Sequence, residues 1–233
     1  MRIHSLEHEP FEGLGNIEVW AKTKGHSIER TLLYENEQLP KTAEFDWLVI
    51  MGGSMNIYEE GKYPWLIEEK KFIEEAICKN KVILGVCLGS QLIADVLGGR
   101  VRRNRYKEIG WFPVTLTKEA GDSTIFRSFP EKFTAFHWHG DSFEIPPRAL
   151  RIAESEGCAN QAFESGRVIG LQFHLEYSER SIDLMFKNCG DEIVEGKYIQ
   201  KPGEILSQIS MVNEMRRILN LLLDKIEREF GEP

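Results

Sequence analysis

The chain has 233 residues, a length that suits one α/β domain with a modest extension. Its formal net charge is −8, and 42% of its residues are hydrophobic, which is ordinary for a globular protein. The densest run of basic residues, at 100–105, is better explained as the solvated end of a strand than as a phosphate-binding surface. We therefore expect no nucleic-acid partner.

The four cysteines are scattered, at positions 78, 87, 158 and 189, without a C-x-x-C pair or a disulfide-like spacing. This usage is typical of a reducing compartment, so we expect a cytoplasmic protein. The first residues lack the apolar centre of a signal peptide, and no apolar run approaches the length of a membrane span. We expect no membrane association.

The first half of the chain alternates strand and helix patterns. Strands are predicted at 1–6, 28–34, 45–51 and 82–86, and helices at 11–23, 65–79 and 88–97. The run at 45–51 is apolar almost throughout, as in a strand buried on both faces. The order β-α-β-β-α-β-α predicts an α/β fold, a doubly wound and mostly parallel sheet with helices on both faces.

After Gly99 the segments become shorter and alternate between polar and apolar residues. They predict added antiparallel strands at 101–104, 111–117, 133–138, 142–145, 150–155, 161–164 and 168–173. A helix is predicted at 178–189, and apolar residues three to four apart predict one long amphipathic helix at 204–230. We expect a domain at 1–200 and a C-terminal helical extension at 201–233 that packs on it.

Cys87 lies where the strand at 82–86 turns directly into the helix at 88–97. With Gly85 before it and Gly89 after it, this turn resembles a nucleophile elbow that carries Cys in place of Ser. The free N–H groups at the start of a helix favour a thiolate and can hold a developing oxyanion. Since a lone cysteine at such a junction is usually structural, a catalytic role requires partners.

The strand at 168–173 leads into His174 and Glu176. Two residues that are two apart on an extended backbone project to the same face. A thiol nucleophile needs a base within reach, and the base needs a group that fixes its tautomer. Cys87, His174 and Glu176 supply nucleophile, base and orienting carboxylate in chain order. Each alone could be an ordinary core or surface residue, but together they predict a catalytic triad.

The string G-x-C-x-G-x-Q at 85–91, with His174 and Glu176, resembles the class I (triad type) glutamine amidotransferases over residues 45–180. The resemblance implies a flavodoxin-like fold and hydrolysis of the glutamine side-chain amide, with ammonia passed to an acceptor. In that family the strand usually ends in His-Pro-Glu, whereas Leu175 replaces the proline here. This change alters backbone stiffness but keeps both side chains.

Other positions also match the family. Gly53 matches the loop whose N–H joins that of Leu88 in an oxyanion hole, although Ser54 stands where the family loop commonly has Pro. The resemblance further implies that the amino-acid end of glutamine contacts Gln91, Gly140 and Asp141. The stretch at 107–111 is similar to free-standing glutaminases that resemble the glutaminase part of GMP synthase.

His137 and His139 are spaced like metal ligands. No Cys or carboxylate cluster lies beside them in the sequence. We therefore expect no metal and no other cofactor.

A chain of this length without a G-x-x-x-x-G-K loop is too short for a complete synthase. The first hypothesis is a free-standing glutaminase, with glutamine as substrate, that passes ammonia to a synthase subunit or another acceptor-bearing partner. The second is a hydrolase of another γ-glutamyl amide. The third, a non-catalytic regulatory module, is disfavoured by the intact triad. Packing of the last helix on its own domain is favoured over its docking to a synthase subunit or to a second copy in a homodimer.

Overall fold

The structure is a computed structural model that describes residues 1–231. One mixed sheet of ten strands runs through the protein. Five adjacent strands, in the spatial order β9-β4-β3-β1-β2, are parallel to one another. They are β1 (Arg2–Glu7), β2 (Ser27–Leu32), β3 (Trp47–Ile50), β4 (Val82–Val86) and β9 (Val168–Leu171).

Both faces of the three central strands β3, β4 and β9 are buried, which explains their continuous apolar sequences. Along β3, Trp47 and Val49 face one hydrophobic core, whereas Leu48 and Ile50 face the other. Helices cover each core. The first core lies under α1 (Asn16–Lys24), α4 (Glu179–Cys189), α5 (Pro202–Ser207) and α6 (Met211–Phe230), and the second under α2 (Trp65–Cys78) and α3 (Leu88–Val96). The predicted doubly wound α/β fold is confirmed.

The run at 168–173, predicted as an added antiparallel strand, is β9, which is parallel to β4 and antiparallel only to β8. The other added strands lie beside β9. They are β5 (Val101–Leu116), β6 (Lys132–Phe143), β7 (Leu150–Glu154), β8 (Ala162–Ser165) and the short β10 (Tyr198–Ile199). The predicted strands at 101–104 and 111–117 are one continuous strand, and so are those at 133–138 and 142–145. The division was wrong because β5 and β6 pair across the polar residues between the segments, with a register shift between Arg103 and Glu108.

The single helix predicted at 204–230 was also wrong, because α5 and α6 are separated by residues 208–210. The helix α6 packs on α1, and Trp20 Nε1 donates to Asp224 Oδ1 at 2.9 Å. The division into a domain at 1–200 and an extension at 201–233 stays a prediction, and positions 232 and 233 of that extension lie outside the described residues. Within residues 1–231, no helix combines the length and apolar character needed to cross a membrane.

The helix predicted at 11–23 starts only at Asn16, so residues 8–15 form a loop at the end of β1. Gly15 adopts a φ of 51°, and a Cβ there would lie 2.3 Å from the carbonyl oxygen of Glu176. The Asn16 N–H donates to that same oxygen at 2.8 Å. This close approach requires glycine and holds the loop against the chain that follows β9.

A second close approach joins α3 to the end of β3. A Cβ on Gly89 would lie 2.1 Å from the carbonyl oxygen of Ile50. The Gly89 N–H donates to the carbonyl of Met51 at 3.2 Å. The first turn of α3 therefore lies directly on the loop that follows β3.

We predict that Gly89→Ala lowers the free energy of unfolding by about 2–3 kcal/mol, because the added methyl group must displace backbone. Urea denaturation measures this change. The matched control is Gly203→Ala in α5, where a Cβ would meet nothing within 4 Å, and it should change stability by less than about 0.5 kcal/mol. Equal unfolding midpoints for wild type and Gly89→Ala would contradict this account of the junction.

Candidate active site

The carboxyl ends of three adjacent strands, β3, β4 and β9, lead into Gly53, Cys87 and His174, whereas Gly140 and Asp141 lie within β6. Cys87 follows β4 directly and adopts a φ of 49° and a ψ of −108°. A non-glycine residue rarely adopts such angles, and they persist only where the surroundings impose them. The Cys87 N–H donates to the carbonyl of Leu171 in β9 at 2.7 Å, which fixes the turn from strand to helix.

His174 and Glu176 follow β9, and each side chain is only 1% exposed. The Nδ1 atom of His174 lies 2.7 Å from Glu176 Oε1. Its other ring nitrogen, Nε2, is buried and has no hydrogen-bond partner among the described residues. The ring stacks on Tyr177 at a centroid distance of 4.1 Å. Since a carboxylate only accepts, Nδ1 carries a proton, and Nε2 is the position left to take the thiol proton.

The thiol and the imidazole influence each other strongly. Burial raises the pKa of the Cys87 thiol, and the proximity of His174 opposes that rise. Burial lowers the pKa of His174, but the Glu176 carboxylate and the thiol outweigh burial and raise it well above its usual 6.5. The Sγ atom also lies 3.7 Å from Gln172 Nε2, which donates to it. His174 can therefore accept the thiol proton.

Cys87 opens into a cavity of about 320 Å³. The two residues proposed for the oxyanion hole, Gly53 and Leu88, line the same cavity. Within residues 1–231, neither of their backbone N–H groups donates a hydrogen bond to the protein. Two free N–H groups near the nucleophile are the arrangement that an oxyanion requires.

The three residues expected to contact the amino-acid end of the substrate also line this cavity: Gln91, Gly140 and Asp141. The Gln91 amide nitrogen donates to the Asp141 carbonyl at 3.3 Å and to Gln172 Oε1 at 3.1 Å. The Gln91 amide oxygen is therefore the atom left to bind a substrate. The Asp141 carboxylate accepts a hydrogen bond from Tyr58 at 2.8 Å, a wall residue that sequence reasoning missed.

Glu12 is a second residue that sequence reasoning missed. It is 5% exposed, lines the cavity, and accepts a hydrogen bond from the Tyr177 hydroxyl at 3.2 Å. Burial raises the pKa of Glu12 to about 7, and the charge of Glu176 adds to that rise while His174 opposes it. The helix predicted at 11–23 concealed Glu12, because a glutamate near a helix start is an ordinary solvated residue.

The histidines His137 and His139 have a carboxylate neighbour in space, which the sequence did not show. Their ring nitrogens and a Glu108 oxygen lie within 4.8 Å of one another, and all three residues are buried. However, Glu108 already accepts from Ser155 Oγ at 2.6 Å and from Gln161 Nε2 at 2.7 Å. A polar network accounts for both of its oxygens without a metal ion.

The pKa of Glu108 is lowered, whereas burial alone would raise the pKa of a carboxyl group. Burial acts to raise the pKa of Glu108, but its contacts with His139 and His137 hold that pKa at about 2. Burial lowers the pKa of His137 to about 4, so this ring is neutral near pH 7. His139 Nε2 lies 3.1 Å from Glu108 Oε2. The network thus fixes His139 in the cavity wall.

Known proteins resemble the chain over most of its length. The sequence model of the family described as Glutamine amidotransferase class-I matches residues 16–192. The glutamine amidotransferase-like protein YfeJ of Salmonella typhimurium is 35% identical over 202 residues, which cover 84% of each chain. A subunit of the glutamine-hydrolysing GMP synthase of Saccharolobus solfataricus is 35% identical over 176 residues, which cover 72% of this chain and 86% of that subunit. The crystal structure of a glutamine amidotransferase from Thermotoga maritima matches with a TM-score of 0.89 and 34% identity, covering 100% of this chain and 99% of that one.

The pKa of Glu12 predicts a pH dependence of stability. Since its pKa rises from 4.5 to about 7 on folding, the folded state retains a proton that the unfolded chain releases between these values. Stability from this group is complete below about pH 4.5 and is lost as pH rises through about 7. A shift of this size corresponds to about 3 kcal/mol.

We predict that Glu12→Gln matches wild type at about pH 4 and is more stable by up to about 3 kcal/mol at about pH 8. Urea unfolding at both pH values measures the difference. The matched control is Glu74→Gln, an exposed position on α2, which should follow the wild-type dependence. Parallel pH dependences for Glu12→Gln and wild type would contradict the assignment.

Proposed function

The chain belongs to the class I glutamine amidotransferases, and on that basis we propose that it hydrolyses the side-chain amide of glutamine through Cys87, His174 and Glu176. One observation carries this proposal. Glu176 Oε1 fixes the His174 ring by its contact with Nδ1 at 2.7 Å, which leaves Nε2 without a partner among the described residues. The Cys87 thiol helps to raise the pKa of this ring. The three groups therefore have the roles of nucleophile, base and orienting carboxylate.

In the first half of the reaction, His174 Nε2 takes the thiol proton and Cys87 Sγ bonds to the amide carbon of glutamine. The carbonyl electrons move to oxygen, and the resulting oxyanion accepts hydrogen bonds from the Gly53 and Leu88 N–H groups. The carbon–nitrogen bond then breaks. The nitrogen takes the proton from His174 and leaves as ammonia, so a γ-glutamyl thioester remains on Cys87.

In the second half, water donates a proton to His174 as its oxygen attacks the thioester carbon. The same two N–H groups stabilise the second oxyanion, and one such donor is typically worth about 3 kcal/mol in the transition state. The carbon–sulfur bond breaks, His174 returns the proton to the thiolate, and glutamate leaves. The protein ends the cycle in its starting protonation state.

The cavity wall suits the zwitterionic end of an amino acid. The Gln91 amide oxygen and the Asp141 carboxylate are acceptors for an α-ammonium group. Arg103 and Lys107 also line the cavity and supply positive charge for an α-carboxylate, although Lys107 is paired with Glu192 at 2.7 Å. We place the α-ammonium group of glutamine near Gln91 and the α-carboxylate near the two basic residues.

The acceptor of the ammonia is proposed to lie on a partner. Relatives from several organisms are named as subunits of glutamine-hydrolysing GMP synthase, and these match about 70% of this chain at 30–35% identity. By analogy, this chain would be the glutaminase component that serves a separate synthase subunit. The glutaminase reaction itself does not depend on which acceptor is used.

We predict that Cys87→Ala lowers glutamine turnover by at least about 10⁴-fold, because removal of a nucleophile leaves only binding and the oxyanion donors. Coupled assays of glutamate and ammonia release measure this loss. The matched control is Cys158→Ala, since Cys158 is also buried but does not line the cavity. It should keep kcat within about twofold.

Two results would contradict the proposal. Turnover that survives in pure Cys87→Ala protein would exclude Cys87 as nucleophile. A much higher kcat/KM for a γ-glutamyl amine than for glutamine would instead favour hydrolysis of another γ-glutamyl amide, with the same triad.

A further inference from the structure

A buried pair that the mechanism above does not use, His8 and Glu69, lies behind the cavity wall. His8 is 1% exposed and Glu69 is fully buried. His8 Nε2 lies 2.9 Å from Glu69 Oε1, and His8 Nδ1 lies 3.0 Å from the carbonyl oxygen of Gly52. The ring also stacks on Trp65 at a centroid distance of 5.5 Å. Each ring nitrogen thus has one partner.

Both partners of the His8 ring are hydrogen-bond acceptors when Glu69 is ionised, because a carbonyl and a carboxylate offer no proton. Two donating nitrogens require the imidazolium form. Burial lowers the pKa of His8, but the charge and hydrogen bond of Glu69 outweigh burial and raise it above 6.5. A fully buried ion pair is costly to form and is weak support for stability, so its place in the fold suggests another purpose.

The partner carbonyl of His8 belongs to the peptide bond that joins Gly52 to Gly53. Among the described residues every peptide bond is trans, so the Gly52 C=O and the Gly53 N–H point in opposite directions. His8 holds the oxygen on the side away from the cavity, since Gly53 lines the cavity and His8 does not. The Gly53 N–H is therefore directed towards the side where Cys87 and Leu88 lie.

Without a fixed partner this peptide would have little preference of its own, because glycine adopts positive and negative φ with similar ease. Additional contacts restrict the loop. The Ser54 hydroxyl donates to Glu9 Oε1. A Cβ on Gly53 would lie 2.9 Å from the His8 Cβ and 2.9 Å from Leu88 Cδ2. All of the contacts that restrict this loop are therefore made within one chain.

We propose that His8, held by Glu69, is a positioning residue that directs the Gly53 N–H at the reacting carbonyl, so that the chain sets its own oxyanion hole without a partner. This inference rests on the glutaminase reaction proposed above. His8 contacts neither substrate nor thiol in this scheme and acts only through the Gly52–Gly53 peptide.

The first test is His8→Ala in the isolated chain. We expect kcat for glutamine to fall by about 10²–10³-fold, the typical effect of losing one oxyanion donor. KM should stay within about threefold, because an interaction that strengthens only in the transition state changes kcat and kcat/KM together. Alkylation of Cys87 by iodoacetamide, which needs no oxyanion hole, should keep its wild-type rate.

The matched control is His4→Ala. His4 is also a buried histidine, 5% exposed, but it lies within β1, and its Nε2 lies 2.8 Å from Thr31 Oγ1 in β2, away from the loop. This variant removes a similar side chain from the same region of the chain. It should lose stability without the large fall in kcat.

A second pair of variants tests the same claim through Glu69 and does not require His8→Ala to fold. In Glu69→Gln, the amide can donate to His8 Nε2, so a neutral His8 keeps the Nδ1 proton for Gly52. This variant should keep kcat within about tenfold of wild type. Glu69→Leu leaves His8 Nε2 without a partner and should lose kcat as His8→Ala does.

Wild-type kcat in His8→Ala, an equal fall in His4→Ala, or equal activities of Glu69→Gln and Glu69→Leu would overturn the inference. A different result separates this inference from the glutaminase proposal. If the isolated wild-type chain releases no ammonia from glutamine although iodoacetamide still alkylates Cys87, the self-contained oxyanion hole is refuted. The glutaminase proposal itself is refuted by turnover that survives in Cys87→Ala.

Discussion

The buried contact between His174 and Glu176 is the interaction on which the rest of the site depends. At 2.7 Å and 1% exposure, it fixes both the tautomer and the direction of the ring. The position of the pair of His174 and Glu176 depends in turn on the fold. The backbone of His174 pairs with that of Phe136, and the carbonyl of Glu176 lies against Gly15 and the start of α1. Two distant segments therefore hold the pair in place.

Buried charged groups are concentrated at the carboxyl ends of the parallel strands. The two faces of the sheet are covered by hydrophobic cores. The buried groups at the strand ends are Glu12, His8, Glu69, Cys87, His174 and Glu176. Such groups are costly to bury, and a cluster of them in a cavity is a candidate functional site. Burial of the apolar residues on both faces of β3 and β4 stabilises the domain and offsets the unfavourable free energy of burying these charged groups. Stability thus derives mainly from the cores, and the proposed reaction takes place at the strand ends.

The fold and the contact between His174 and Glu176 could be predicted from the sequence because their signals are local. The apolar run before Cys87 and the spacing of His174 and Glu176 each lie within a few residues. His8 and Glu12 could not be identified this way, because their roles depend on contacts with Gly52, Glu69 and Tyr177. No periodicity marks such contacts between distant segments. For the same reason, the carboxylate of Glu108 beside His137 appears only once β5 pairs with β6.

In the proposed reaction, the isolated chain activates Cys87, whose Sγ attacks the amide carbon of glutamine. The most direct measurement is intact-protein mass spectrometry after rapid mixing with glutamine and quenching in acid, followed by peptide mapping. The account predicts a transient adduct with the mass of glutamine minus ammonia, located on Cys87, that forms together with the first ammonia released. Release of ammonia by the isolated protein with no adduct on Cys87 at any mixing time, or an adduct on another residue, would contradict it.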